Sequence, residues 1–324
     1  MEISIAMRKF YIYLVTPIIL LIAFSCNEDE EKSNDEKQKA IDNQLISDYL
    51  SDNNITAQKD EYGIYFEKLA ENQGGESVVL NDILEIYYRI TTLDGRIIEA
   101  RLEENSQPMK FRHAQESLYP VGINIGAGYM RTGEKYRFYI PSHLGLESFF
   151  NNSIAPNSIL IAEVELVNIL NDQEQFDLET DSILSYLNNN GHTSFNQYNN
   201  GLIKRTVLSG SGTFNPGNNQ QILAILKRKY LDGTETRLPR DNGDEITELV
   251  MGREMTNGLE MGLSVMVEGE KAEVFVPSYL AFDSYVQVFP EKFRSEFQVD
   301  YLGIQDLEPF AIIKYEIEIK DIAF

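Results

Sequence analysis

The sequence predicts an α+β fold built twice in tandem, and three observations carry that prediction. First, residues recur colinearly: Ile46-Ser-Asp-Tyr-Leu50 returns as Ile183-Leu-Ser-Tyr-Leu187, Asp94-Gly95 as Asp232-Gly233, and Pro141-Ser142 as Pro277-Ser278. Met130 with Gly133-Glu134-Lys135 likewise returns as Met266 with Gly269-Glu270-Lys271. Second, β-branched and aromatic residues dominate stretches such as Ile83–Ile90 and Glu134–Ile140, which alternate in the way half-buried strands do. Third, each copy opens on a short amphipathic helix, with Ile41, Leu45 and Tyr49 at helical spacing in the first and Ile183, Leu184 and Leu187 in the second. Antiparallel strands around one short helical segment are an α+β arrangement.

Taken in order, the chain begins with a segment unlike the rest. Arg8 and Lys9 precede an apolar run from Tyr11 to Phe24, which is short for a membrane span and has the layout of a secretory signal peptide over residues 1–25. The run closes on Ala23-Phe24-Ser25-Cys26, which resembles a bacterial lipobox and implies an acylated Cys26 that holds the protein to a membrane. Cys26 is the one cysteine of the chain, so no internal disulfide is expected. Residues 26–40 are charged and polar and read as an acidic tether, which also resembles the signal that routes some lipoproteins to the cell surface. The first repeat then occupies residues 41–172 and the second 173–324.

Within the repeats, Leu93-Asp-Gly95 and Leu231-Asp-Gly233 are hairpin turns in which glycine supplies a positive φ. Ser142 and Ser278 lie 136 residues apart, whereas Glu163-Val-Glu-Leu166 and Glu316-Ile-Glu-Ile319 lie 153 apart, so the second copy carries an insertion, placed at 283–306. A period this long excludes a solenoid. The insertion repeats an aromatic residue every four positions, at Phe289, Phe293, Phe297 and Tyr301. On a helix these form one stripe, which either packs on its own sheet or serves as a lid or client-binding surface.

Composition narrows the function. Lys+Arg number 28 against 51 Asp+Glu, a net charge of −23 that repels a phosphate backbone and sets nucleic acid aside as a partner. His113, His143 and His192 have no metal-ligand spacing, and Ser209-Gly-Ser-Gly212 lacks the lysine and helix of a phosphate loop. Neither a metal nor a cofactor is expected.

The middle of each repeat then carries a family resemblance. Gly122-Ile-Asn-Ile-Gly126 with Met130, Gly133 and Ile140-Pro141, and Gly258-Leu-Glu-Met-Gly262 with Met266, Gly269 and Val276-Pro277, resemble the FKBP family of peptidyl-prolyl cis-trans isomerases. The leading helices with the starts Gly63-Ile-Tyr65 and Gly201-Leu-Ile203 look like FKBP lipoproteins of the Bacteroidetes. The resemblance implies two FKBP-like domains, each an antiparallel sheet wrapped on a short helix. It also implies isomerisation of X–Pro bonds without nucleophile or metal. Rotation about that bond breaks amide resonance at a cost of roughly 20 kcal/mol. An apolar, aromatic pocket lowers the barrier by binding the twisted amide better than the planar one, helped by exclusion of water.

Carried over position by position, the resemblance assigns the first pocket to Tyr88, Ile98, Glu99, Met109, Tyr119 with Pro120, Ile123, Leu146 and Ala162. Tyr88 is identical to the family's residue, Glu99 and Met109 are conservative, and Ile123 replaces the tryptophan of the floor. The second pocket falls on Leu226, Thr236-Arg237, Met255 with Thr256, Leu259, Phe282 and Tyr315, the last two keeping aromatic walls. The implied function is isomerisation of proline-containing unfolded or exported polypeptides at the outer membrane. The alternative is a non-catalytic binding or chaperone module of an outer-membrane or surface complex, favoured for the first domain by Ile123, Leu146 and Ala162.

Overall fold

A computed structural model describes residues 34–104, 106–115, 117–151, 154–236, 238, 246–253, 255–283 and 307–323. The signal peptide, Cys26, Arg237 and the aromatic stripe at Phe289, Phe293, Phe297 and Tyr301 lie outside the described residues.

The chain folds as two copies of one topology. The first copy runs through helix α1 (34–52), strands β1 (Gln58–Lys59), β2 (Tyr65–Ala70), β3 (Ile83–Thr92), β4 (Ile97–Arg101) and β5 (Met109–Arg112). Helix α2 (Val121–Ala127), β6 (Lys135–Ile140) and β7 (Leu160–Leu170) complete it. The second copy repeats the order with α3 (Asp172–Asn189), β8 (Asn196–Gln197), β9 (Ile203–Leu208), β10 (Gln221–Lys229), β11 (Glu235–Thr236) and β12 (Thr247–Val250). It closes with α4 (Asn257–Ser264), β13 (Lys271–Val276) and β14 (Ile313–Ala323). The two sheets run β1-β2-β6-β7-β3-β4, with β5 on β3, and β8-β9-β13-β14-β10-β11, with β12 on β10. Every named pairing is antiparallel. The fold is therefore α+β, one antiparallel topology built twice in tandem.

The alternating sequence explains which face each strand buries. In β3, Leu84, Ile86, Tyr88 and Ile90 point inward, and in β10 Ile222, Ala224, Leu226 and Arg228 do. The hairpins turn at Gly95, with φ 84°, and Gly233, with φ 91°, as the Asp-Gly pairs require. Short helices α2 and α4 lie against β6 and β13 because Gly122 and Gly258 let backbone and strand approach. A methyl group there would overlap Ile140 Cγ2 in the first copy and Val276 Cγ1 in the second. Gly258→Ala should therefore destabilise the second domain by about 1–3 kcal/mol, seen as a lower urea midpoint at unchanged slope.

The leading helices differ from expectation in length and in facing. The first starts at residue 34, inside the segment read as tether, and α3 has 18 residues, so neither is short. In α1, Ile41 and Leu45 are exposed, while Ile46 and Leu50 are buried with Asp42 beside them. The stripe 42/46/50 faces inward because Asp42 has a partner there. Its Oδ2 accepts hydrogen bonds from the Ser142 backbone N–H at 2.8 Å and from the Ser142 hydroxyl at 2.6 Å. In α3, Ile183 and Leu187 are buried as expected, and Glu179 repeats the clamp on Ser278, accepting from its N–H at 2.7 Å and its hydroxyl at 2.6 Å.

Burial pushes the Glu179 carboxyl upward against the opposing pull of its Ser278 and Gln175 donors. Between the unfolded value near 4.5 and this higher one, the folded domain binds more protons than the unfolded chain. The contribution of Glu179 to stability should thus fall as pH rises through that window. Urea titrations of wild type and Glu179→Gln across it will show the difference shrinking with pH if ionisation of the buried group is the cause.

The domains meet without a linker. Leu170 ends β7, and Asn171 caps α3, accepting from the Gln173 and Glu174 N–H groups while Glu174 accepts from the Asn171 N–H. Across the junction Arg112 of β5 donates to Asp172 at 2.9 Å and to Asp283 at 3.4 Å, its guanidinium lying over the Phe310 ring. Phe310 packs with Ile83 and Leu170.

Candidate functional site

In the first domain the sheet and α2 bring the assigned residues together. Tyr88, Ile98, Met109, Ile123, Leu146 and Ala162 belong to one buried apolar cluster, with Tyr119 and Phe149 packed against it. The register explains the grouping. Ile90 on β3 faces Glu99 on β4 and Ala162 on β7, and Tyr88, two residues back, shares their side of the sheet. The Tyr88 hydroxyl donates to the Glu99 carboxylate, joining the single polar pair of the assigned set to the apolar wall. Burial pushes the Tyr119 phenol up to about 12, with the Glu147 carboxylate adding to the shift, so it stays protonated through the neutral range.

The flap position is held by backbone geometry. Leu146 is followed by Glu147 at φ 48°, a left-handed conformation fixed by Glu147 N–H to the Ser142 carbonyl at 2.9 Å and Asn157 N–H to the Glu147 carbonyl at 2.8 Å. The second copy repeats the left-handed backbone, Phe282 being followed by Asp283 at φ 33°.

The second site is built on the same elements and differs in chemistry. Leu226, Leu259, Phe282 and Tyr315 share one buried cluster, with Met255 packed against it. Into their midst projects Arg228, whose side chain is 1% exposed. Arg228 sits in register with Tyr315 on β14 and Thr236 on β11, where the first copy sets Ile90 between Ala162 and Glu99. Its Nε donates to the Thr236 hydroxyl at 2.7 Å, and its guanidinium lies 5.1 Å from the centre of the Phe282 ring. Burial pushes the Tyr315 phenol upward, against the opposing pull of the neighbouring Thr256 and Arg228. Thr256 caps α4 through Leu259 N–H at 3.3 Å.

Reading the sequence for aromatic pocket positions missed Arg228. The signal was present in the alternation Ile222, Ala224, Leu226, Arg228, a charged residue at an inward position. Among the described residues no group of three or more His, Cys, Asp or Glu side chains could hold a metal ion. His113 instead shares a hydrogen bond with Asn124 at 3.0 Å, and His143 lies beside the Asp42–Ser142 clamp.

Residues 74–167 match the family model described as FKBP-type peptidyl-prolyl cis-trans isomerase. Peptidyl-prolyl cis-trans isomerase FKBP9 of Bos taurus is 24% identical over 204 residues, covering 62% of this chain and 30% of that protein. FKBP9 of Homo sapiens is 23% identical over 205 residues with the same shares, so the chain spans about a third of the length of these relatives. Among solved structures, the three FKBP domains of wheat FKBP73 align over 83% of this chain and 99% of that one, at 16% identity and TM-score 0.32. FkpA from Escherichia coli aligns over 46% of this chain and 69% of its own, at 23% identity and TM-score 0.34.

Proposed function

We propose that the first domain, whose residues 74–167 match the family model described as FKBP-type peptidyl-prolyl cis-trans isomerase, catalyses rotation about X–Pro bonds in extended polypeptides. The observation that carries this reading is the Tyr88–Glu99 pair set against the apolar wall of Ile98, Met109, Ile123, Leu146 and Ala162. A prolyl ring fits an apolar wall, and the twisted amide is less polar than the planar one, so a water-poor surface favours the twisted form. Tyr88 and Glu99 fix one polar edge, whose oxygens can accept from a substrate N–H and so hold the bond at its point of rotation. No proton or electron pair leaves the substrate.

The clients are proline-containing unfolded or exported chains, met at the outer membrane by a protein anchored through an acylated Cys26. The test is catalysed exchange in a panel of X–Pro peptides, followed by NMR with the full chain. Acceleration above the spontaneous rate is expected; a folded protein that leaves the rate unchanged on every peptide sinks the reading. Cys26→Ser should move the protein from the membrane to the soluble fraction, and an unchanged distribution would remove the anchor.

A binding module without catalysis is the second reading: Ile123, Leu146 and Ala162 favour it for the first domain, and the buried Arg228 favours it for the second.

A further inference from the structure

We infer that Arg228 is the residue that closes the second pocket to prolyl substrate, so that an X–Pro chain engages this protein at one site although the fold is present twice. The inference rests on the reading of the first pocket as a prolyl site. It begins from three facing positions across three strands. In the first domain these are Ala162, Ile90 and Glu99, with Tyr88 reaching over to the carboxylate. In the second they are Tyr315, Arg228 and Thr236, with Leu226 in place of the tyrosine.

Each change in that row serves the next. Widening Ile90 to an arginine introduces a planar cation into an interior that would otherwise be apolar. Thr236 supplies an acceptor to its Nε, and Tyr315 replaces Ala162 at the position paired with it on β14. Phe282, at the flap position held by Leu146 in the first domain, supplies a ring face to the guanidinium. The cation thus contacts the wall from β11, the wall from β14 and the flap at once. Those three surfaces are the ones between which a prolyl ring would have to enter.

Arg228 is the largest side chain that the described residues bury completely. A guanidinium held this way resists displacement, because an incoming apolar ring would separate it from Thr236, Tyr315 and Phe282 and offer no acceptor in return. The first domain presents an isoleucine at the same point and no such obstacle. Arg228 and the residues that hold it therefore separate the two copies in their response to substrate.

Each pocket contains its own reporter, Met109 in the first and Met255 in the second. Methionine-methyl NMR of the full chain, titrated with an unfolded Leu-Pro peptide, should move the Met109 resonance and leave Met255 in place. In Arg228→Ile, which copies Ile90, or in Arg228→Met, which keeps the stem without the cation, Met255 should begin to respond. A Met255 shift in the wild type overturns the inference. So does a variant that keeps the wild-type Met266 and Met251 resonances, hence its fold, and still shows no Met255 response. If neither methyl responds in the wild type, the reading of the first pocket falls, and the Arg228 variants alone decide the closure of the second.

Discussion

Tyr88→Phe should lower kcat/KM for X–Pro isomerisation by about 10-fold while the domain stays folded, its stability lowered by no more than about 1.5–3 kcal/mol. The substitution keeps the ring in its buried place among Ile98, Met109 and Ile123 and removes only the hydroxyl that donates to Glu99. A hydrogen bond to a charged group contributes about 1.5–3 kcal/mol, and roughly 1.4 kcal/mol of transition-state stabilisation is tenfold in rate. Glu99→Ala should produce a loss of similar size, and the double variant should lose no more than either alone, since the pair acts as one unit. Additive losses would show that the two side chains work independently and that their contact has no catalytic role.

Asp42→Ala should destabilise the first domain by about 3 kcal/mol, roughly a 10 °C fall in its melting temperature. Asp42 is fully buried, and its Oδ2 is the acceptor for two donors of Ser142. With the carboxylate gone, a buried N–H and a buried hydroxyl lose their partner together, and α1 loses its polar attachment to the domain. Asp42→Asn should recover most of the loss, because one oxygen serves both Ser142 bonds. Calorimetry of the two variants checks the pair of outcomes; equal melting temperatures for alanine and asparagine would show that the clamp does not hold the helix.

These two cases also show what can be read in a sequence and what cannot. The repeats were legible because each marks a backbone requirement. The Asp-Gly pairs mark the hairpins, and Glu134 and Glu270 after their glycines accept from the N–H groups of Arg131 at 2.8 Å and Val267 at 3.2 Å. The strands were legible from alternation, and Tyr88, Ile98, Met109, Ile123, Leu146 and Ala162, named by resemblance, fall in one buried cluster. The facing of α1 was not, because its apolar residues occupy two neighbouring stripes and the choice between them depends on Ser142, 100 residues away from Asp42. Arg228 escaped for a related reason. Looking for aromatic walls finds Phe282 and Tyr315, and gives no view of the inward cation that those aromatics surround.

The single residue between β7 and α3 has a consequence for cutting and splicing this protein. A protease threads an unpaired length of chain through its cleft, and from Leu160 to Asn189 the chain offers only Asn171 between strand and helix, with its own amide already bonded to Glu174. Nicking should therefore begin elsewhere, and digestion should not release the two halves as intact fragments. By the same token, a flexible spacer inserted after Leu170 would loosen the tie between the two halves, at the cost of the helix cap.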